Sequence, residues 1–239
     1  MSDLGTGLSY LLKGFTLIRG RRMLPYVIAP VIVNLLILIP ALYFAVDWAN
    51  AALNALDAWL PGWLQFLMYV ARPLTYLFVF LGVMVVGSMT GTIVGAPFLG
   101  PLSAQVEREL SGKSPSDETP FLTMIPHAFA REVRKLAYHL PRYLGVLLLT
   151  FIPPFAPVAP LLWFAVTAWL LAVEYVDFPF DNRGRSFDEL KRALASRRSL
   201  AFGFGIGAAA AVSIPLFNII AIPAATAGAT ALWVGEFES

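Results

Sequence analysis

The chain contains no cysteine. That absence excludes a disulfide framework, a thiolate metal centre, a thiol nucleophile and palmitoylation, and it removes cysteine usage as a guide to compartment. Charge is scarce as well. Asp, Glu, Lys and Arg make up 13% of the 239 residues, about half the share of an ordinary soluble domain. The 17 cations and 15 acids leave a formal net charge of +2, too weak a bias for a nucleic-acid footprint, so nucleic acid is not an expected partner. Histidine is nearly missing. His127 and His139 have no ligand partner at helical spacing, which speaks against a metal site. No polar linker divides the chain, and the reading is a single integral membrane domain over residues 1–239.

Catalytic and nucleotide motifs are missing too. There is no Gly-x-Ser-x-Gly elbow and no His-Glu-x-x-His helix. Gly112-Lys113-Ser114 ends like a phosphate-binding loop, but the earlier glycine that the pattern requires is replaced by Glu107. Gly203-x-Gly205-x-Gly207 lies in an uncharged apolar run with no strand before it and no ribose-binding acid after it, which favours close helix packing over a dinucleotide site. The expectation is a protein that is not an enzyme and needs no cofactor.

What is present is hydrocarbon. Hydrophobic residues make up 58% of the chain and the mean hydropathy is +0.72, values of a membrane protein. Four stretches carry no formal charge: Met23 to Val46, Pro73 to Val106, Tyr143 to Val173 and Ser199 to Gly235. Each exceeds the ~20 residues that a helix needs for a ~30 Å hydrocarbon core. Lys13, Arg19, Arg21 and Arg22 precede the first, which reads as an uncleaved anchor. The next segment holds Asp47, Asp57, Trp48, Trp59, Trp63 and one cation, Arg72, the pattern of a non-cytoplasmic loop with interfacial aromatics.

The third stretch is flanked by six cations on each side, from Arg108 to Arg142 and from Arg183 to Arg198. A single crossing would export one flank against the positive-inside rule, whereas a hairpin exports neither. Pro153, Pro154, Pro157 and Pro160 supply the bend and leave arms of about ten to thirteen residues, roughly 15–20 Å long. The fourth stretch repeats the design around Ser213-Ile214-Pro215 and Asn218. The expected fold class is therefore an all-α integral membrane protein with two long transmembrane helices, two half-penetrating helical hairpins and amphipathic cytoplasmic helices. Bends of this kind need burial or water, which implies an oligomer, an aqueous path, or both.

Three amphipathic segments complete the pattern. Residues 1–18 present Leu4, Leu8, Leu11, Phe15 and Ile18. The segment opened by Phe121 to Pro126 presents Leu122, Ile125, Phe129, Val133, Leu136 and Leu140, with Arg131, Arg134 and Lys135 on its polar face. That face suits an anionic membrane surface, with an anion path as the alternative. Ser186-Phe187-Asp188-Glu189 matches a capping box. Gly87-x-x-x-Gly91-x-x-x-Gly95 is a small-residue stripe suited to helix packing.

Two polar clusters can carry function. Gly20-Arg21-Arg22 stands at the mouth of the first membrane helix, where free backbone N–H groups and two guanidinium forks could hold a tetrahedral oxyanion, or where the arginines only set topology. Glu107-Arg108-Glu109 follows Ala96-Pro97-Phe98-Leu99-Gly100-Pro101, read as a helix break that places these charges near a pore or at a solvated helix end.

At these residues the chain resembles the CysZ family of bacterial sulfate permeases, within the wider EI24-type group. The shared pattern includes Pro30-x-x-Val33-Asn34-Leu35, Ala96-Pro97-Phe98-x-Gly100-x-Leu102 running into Gln105-x-Glu107, Leu140-Pro141-Arg142, Tyr175-x-Asp177-x-Pro179-Phe180-Asp181-Asn182 and Gly228-Ala229-Thr230-x-x-Trp233-Val234. The resemblance implies a multi-pass protein of the bacterial inner membrane that imports sulfate for cysteine biosynthesis, passively or along a gradient, with sulfite as an alternative oxyanion. It also implies a homo-oligomer, with antiparallel, dual-topology packing, whereas the cation bias favours one orientation in the lipid bilayer.

By the resemblance, sulfate binds near a turn before the first long helix, which assigns Gly20, Arg21 and Arg22, and an acid–base pair near the pore assigns Glu107, Arg108 and Glu109. The sequence departs from the pattern in both places. Leu24 and Pro25 stand where the family's arginines usually fall, and the base near the pore shifts to Arg108, between Glu107 and Glu109. The competing reading is a non-transporting scaffold or membrane-shaping protein. Cysteines placed at Lys113 and Arg185 are expected to label from one face in a uniformly oriented preparation; labelling from opposite faces would overturn the hairpin.

Overall fold

The computed structural model describes residues 2–112, 121–214 and 217–238, with side chains throughout except at 88, 89, 91–93, 96 and 121–129. Lys113, Ser114 and Pro215 therefore lie outside the described residues, as do the surroundings of Gly91 and the side chains of Leu122, Ile125, His127 and Phe129. The described chain is helical: α1 (Asp3–Leu17), α2 (Leu24–Trp59), α3 (Met68–Ser111), α4 (Phe121–Thr150), α5 (Ala159–Asn182), α6 (Phe187–Ser196), α7 (Arg198–Val212) and α8 (Asn218–Glu236). Short 3-10 turns occupy Gly62–Leu67 and Pro153–Val158. Four segments are long and apolar enough to cross a bilayer: Leu24–Trp59, Gly62–Gly87, Pro153–Asn182 and Asn218–Glu236.

The chain separates into two compact units, one of Ile28–Pro97 and one of Met1–Val27 with Phe98–Ser239. The first unit holds most of α2 and the first part of α3, touching through side chains. Asn34 Nδ2 donates to the Gly87 carbonyl at 3.3 Å and Tyr76 Oη donates to Asn50 at 2.7 Å. Gly87 faces Leu38, whereas a Cβ at Gly95 would meet open space, so the glycine stripe serves packing at one of its ends only. Leu36, Ile39, Phe44 and Phe78 stand exposed, as lipid-facing residues do. The loop expected between Asp47 and Arg72 is mostly helical, because alanines 49, 51, 52, 55 and 58 carry α2 on to Trp59. Trp48, Trp59 and Trp63 are exposed around the Pro61-Gly62 turn.

The second unit is built around α8. Its residues from Ala221 to Trp233 are nearly all buried, and most are alanine, glycine or threonine. Such small side chains let helix backbones approach closely. A Cβ on Gly14 would stand 2.7 Å from the Gly228 nitrogen, one on Gly7 2.6 Å from the Phe204 nitrogen, and one on Gly203 2.8 Å from Leu4 Cα. The glycines of α1, α7 and α8 therefore form one seam. Gly205 lies against Ala168 of α5 in the same way.

Four sequence expectations change here. The buried face of α1 is Gly7, Leu11, Gly14 and Ile18, whereas Leu4 and Leu8 are exposed; the glycines, which carry no hydropathy signal, set the docking face. The helix break at Ala96 to Pro101 is absent, and α3 runs through both prolines with Asn182 Nδ2 donating to the Gly100 carbonyl at 3.1 Å. The amphipathic segment and the first arm of the third stretch form one helix, α4, of 30 residues. Two of the three cations on its polar face turn into the protein, Arg131 and Lys135 being 5% and 4% exposed, while Arg134 stays exposed together with Val133, Leu136 and Leu140.

Helices α4 and α5 pair antiparallel across the proline turn. Trp163 donates to Thr150 near the turn at 3.2 Å and Trp169 to Tyr138 further along at 2.9 Å. At the open end Arg131 clasps Asp177 through Nε and Nη2 at 3.0 and 2.7 Å, while Lys135 meets Glu174 at 2.9 Å. Arg131 also donates to the Arg185 carbonyl at 2.8 Å, so the two cation-rich flanks lie together. Ser186 and Glu189 form the expected capping box of α6.

The glycine seam sets a sharp test. Valine at Gly14 or Gly203 is expected to cost about 1–3 kcal/mol or more, because backbone blocks the new methyls. Alanine at Gly95, where space is open, is expected to change little. Thermal unfolding of the three variants in detergent reads the difference.

Candidate anion site

The turn between α1 and α2 is held by short-range hydrogen bonds. Gly20 N donates to the Leu17 carbonyl at 2.9 Å, and Met23 N and Leu24 N donate to the Gly20 carbonyl at 2.9 and 3.2 Å. Ile18 and Met23 anchor it from either side, buried with Leu102 and Val106 of α3 and with Ala224 and Ala227 of α8. Residues 19–22 are left on the surface between two buried anchors.

This geometry revises the expected N–H cradle. The amides of Met23, Leu24 and Tyr26 are already engaged, and Pro25 has none. Only the amides of Arg21 and Arg22 lack a backbone partner among the described residues. Both arginine side chains are exposed, and neither makes an ion pair or hydrogen bond among the described residues. The turn therefore offers two guanidinium forks and two amides to an incoming anion.

Gly20, Arg21 and Arg22 line an open pocket whose fourth wall is Glu109, from the last turns of α3. The structure thus brings one member of the second sequence cluster to the first. Two cations and one carboxylate leave the pocket with a surplus positive charge. Attraction to a dianion survives, tempered by the carboxylate.

The other members of the second cluster part company. Arg108 is exposed on the last turn of α3, whereas Glu107 has no exposed surface at all. Its ion-pair partner is Arg183, which also holds Glu238 at 3.3 Å. The base paired with Glu107 is thus neither of its sequence neighbours. A glycine cap places it: Gly184 takes φ +64°, Gly184 N donates to Asp181 and Arg185 N donates to Phe180, so α5 stops and Arg183 turns toward α3. The sequence signal for this cap is the single Gly184 after Asp181-Asn182-Arg183.

Burial pushes the Glu107 carboxyl above its ordinary value, and the Arg183 guanidinium opposes that rise without cancelling it. Glu107 Oε2 and Trp233 Nε1 are buried and complete no hydrogen bond of good geometry, although the indole N–H lies near enough to favour the charged carboxyl. One helical turn along α3, Ser103 Oγ lies 2.8 Å from Thr230 Oγ1, which donates to the Thr226 carbonyl at 2.9 Å. A buried polar seam thus runs between α3 and α8. No cluster of three or more metal-ligating side chains occurs among the described residues.

A family model described as sulfate transporter CysZ/etoposide-induced protein 2.4 matches residues 10–223. The sulfate transporter CysZ of Vibrio parahaemolyticus is 36% identical over 236 residues, covering 98% of this chain and 96% of that protein. The sulfate transporter CysZ of Vibrio atlanticus is also 36% identical over 236 residues, covering 98% and 94%. That of Pseudomonas aeruginosa is 39% identical over 236 residues, covering 97% of this chain and 95% of that protein.

The buried pair can be tested by itself. Arg183→Ala leaves the Glu107 carboxylate uncompensated and is expected to destabilise the protein by about 3–5 kcal/mol at pH 7.5. Because burial raises the folded carboxyl above its unfolded value, its favourable contribution is complete below the unfolded value and is lost as pH rises through the raised one. Acidification from neutral pH toward 5 should therefore restore part of the Arg183→Ala loss. In Glu107→Gln that pH-dependent component should vanish, as thermal unfolding across pH would show.

Proposed function

From the premise that the chain belongs to the sulfate transporter CysZ/etoposide-induced protein 2.4 family, we propose that it is a sulfate permease of the bacterial inner membrane. It imports sulfate for cysteine biosynthesis, passively or down a gradient, and sulfite competes as a related oxyanion. The observation that carries this reading is the pocket of Gly20, Arg21, Arg22 and Glu109, in which two arginines without partners among the described residues stand beside the start of a long apolar helix.

Sulfate is a tetrahedral dianion that accepts hydrogen bonds on every oxygen. Arg21 and Arg22 supply planar forks to two of its faces and their own amides reach a third. Glu109 opposes the same ligand. In a permease such opposition has a use, because a bound ion must leave as readily as it enters. Glu107, held by Arg183 beside the polar seam of Ser103 and Thr230, serves as the gate beyond the capture site. Arg108, exposed one position along, biases the local field toward anions.

The membrane arrangement in this reading has α2 and α3 crossing fully and the α4–α5 and α7–α8 pairs entering as hairpins from the cation-rich side. The chain acts as one integral domain within a homo-oligomer, which covers bends that lipid cannot satisfy.

Two measurements test the reading. Liposomes containing only this protein are expected to take up sulfate; absence of flux by correctly folded protein would favour a scaffold instead. In calorimetric titrations Arg22→Ala is expected to lose roughly ten- to a hundredfold in sulfate affinity, the worth of one charge-assisted contact. Arg22→Lys should recover part of it. Glu109→Gln is expected to bind sulfate a few-fold more tightly, by about the small energy of an exposed charge pair.

A further inference from the structure

A second group of exposed cations stands on α4 and α6, and the anion site leaves it unused. Arg142 lies over the Tyr138 ring at 3.4 Å and Lys191 approaches the same ring at 5.7 Å, so cations from two helices flank one aromatic side chain. Lys191 Nζ also sits 2.6 Å from Asp188 Oδ1. The Asp188 carboxyl is held below the usual carboxylate range first by Lys191 and further by Arg192 and Arg134, and Arg192 Nε donates to the Asp188 carbonyl at 3.4 Å. Asp188, Lys191, Arg192 and Ala195 line an open pocket at this point.

The neighbouring acids are committed elsewhere. Glu189 accepts from Ser186 N and Oγ at 2.7 and 2.9 Å, and Glu132 pairs with Lys135 at 2.6 Å. Arg134 is exposed and makes no hydrogen bond or ion pair among the described residues. Partway round α4 the surface turns to hydrocarbon, with Val133, Leu136, Leu140 and Leu144 exposed in one column. An exposed apolar column of a membrane protein faces acyl chains, so the cations beside it stand at headgroup depth.

We propose that Arg134, Arg142, Lys191 and Arg192 form a headgroup site for an anionic phospholipid, whose phosphate takes the cations while its acyl chains lie along the Val133–Leu144 column. Charge complementarity selects the occupant: four cations against Asp188 leave a surplus that a net-negative headgroup neutralises and a zwitterionic one does not. Tyr138 holds Arg142 in place from below. The site stands apart from Gly20, Arg21 and Arg22, and it does not depend on which ion the protein carries.

The test uses the full chain in neutral detergent, titrated with phosphatidylglycerol, phosphatidylcholine or inorganic phosphate while its melting temperature is followed. Phosphatidylglycerol is expected to stabilise at concentrations on the order of tenfold lower than phosphatidylcholine, and inorganic phosphate, titrated into the Arg21→Ala with Arg22→Ala variant so that the oxyanion pocket does not contribute, is expected to have no effect. Arg134→Gln with Arg192→Gln should remove the difference between the lipids, whereas the corresponding lysine pair should keep most of it. Arg21→Ala with Arg22→Ala should keep all of it. The single glutamine variants, each expected to lose about fivefold, decide the matter where the pair does not fold. An unchanged phosphatidylglycerol response in the glutamine variants overturns the site, and so does an equal response to both lipids. Stabilisation of the Arg21→Ala with Arg22→Ala variant by inorganic phosphate alone overturns the lipid assignment in favour of a free anion.

Discussion

The structure of the larger unit depends on backbone approaching backbone where side chains are missing. Leu4, Leu200, Ala168 and Ala224 present carbonyl groups where a Cβ on Gly203, Gly7, Gly205 or Gly14 would stand. In lipid there is no hydrophobic gain from pressing two apolar helices together, because acyl chains solvate leucine as well as leucine does. Close van der Waals contact must hold them, and glycine permits the closest. The seam fixes α1 onto α7 and α8, and that docking carries residues 18–23 to the end of α3. Without it, Arg21 and Arg22 would not share a pocket with Glu109.

Two groups among the cations of this unit differ sharply in their surroundings. Arg131, Lys135 and Arg183 are deeply or partly buried and each is matched by carboxylates, since an isolated charge in such surroundings costs several kcal/mol by order of magnitude. They tie α4 to α5 and α5 to α3. Arg197 joins Glu236 and Asp3, and Tyr10 donates to the same glutamate, so the chain's two ends meet in one polar knot. Arg21 and Arg22 sit at the surface and form no ion pair among the described residues. A buried cation fully matched by carboxylates has little left for a ligand, whereas an exposed one keeps donors free whether or not one of them is engaged.

Much of the fold was legible because charge is so scarce. The four uncharged stretches located the apolar segments, the prolines between Pro153 and Pro160 located the turn between α4 and α5, and Ser186-x-x-Glu189 located the start of α6. Helix ends were less legible. Apolar runs mark where a chain can enter lipid, but hydrogen bonding continues for as long as residues favour it, so α2 and α4 outrun their uncharged cores. Amphipathicity also misled about direction. In water the apolar face of a helix turns inward, whereas α4 buries Arg131 and Lys135 against α5 and turns Val133 and Leu136 outward. The periodicity is the same in both cases and does not by itself say which face is buried.

The candidate site was legible in its parts and not in its assembly. Gly20-Arg21-Arg22 and Glu107-Arg108-Glu109 were visible as clusters, yet their joining through Glu109 needs the seam that docks α1, and no local pattern encodes that. The pairing of Glu107 with Arg183 needs the left-handed turn at Gly184, which lies 77 positions after Glu107 in the chain. A run such as Glu-Arg-Glu suggests charge compensation within itself, but on a helix successive residues point about 100° apart. Glu107 and Glu109 therefore had to face different surroundings. One entered the protein interior and found an arginine there, and the other remained outside, on the wall of the pocket that Arg21 and Arg22 line.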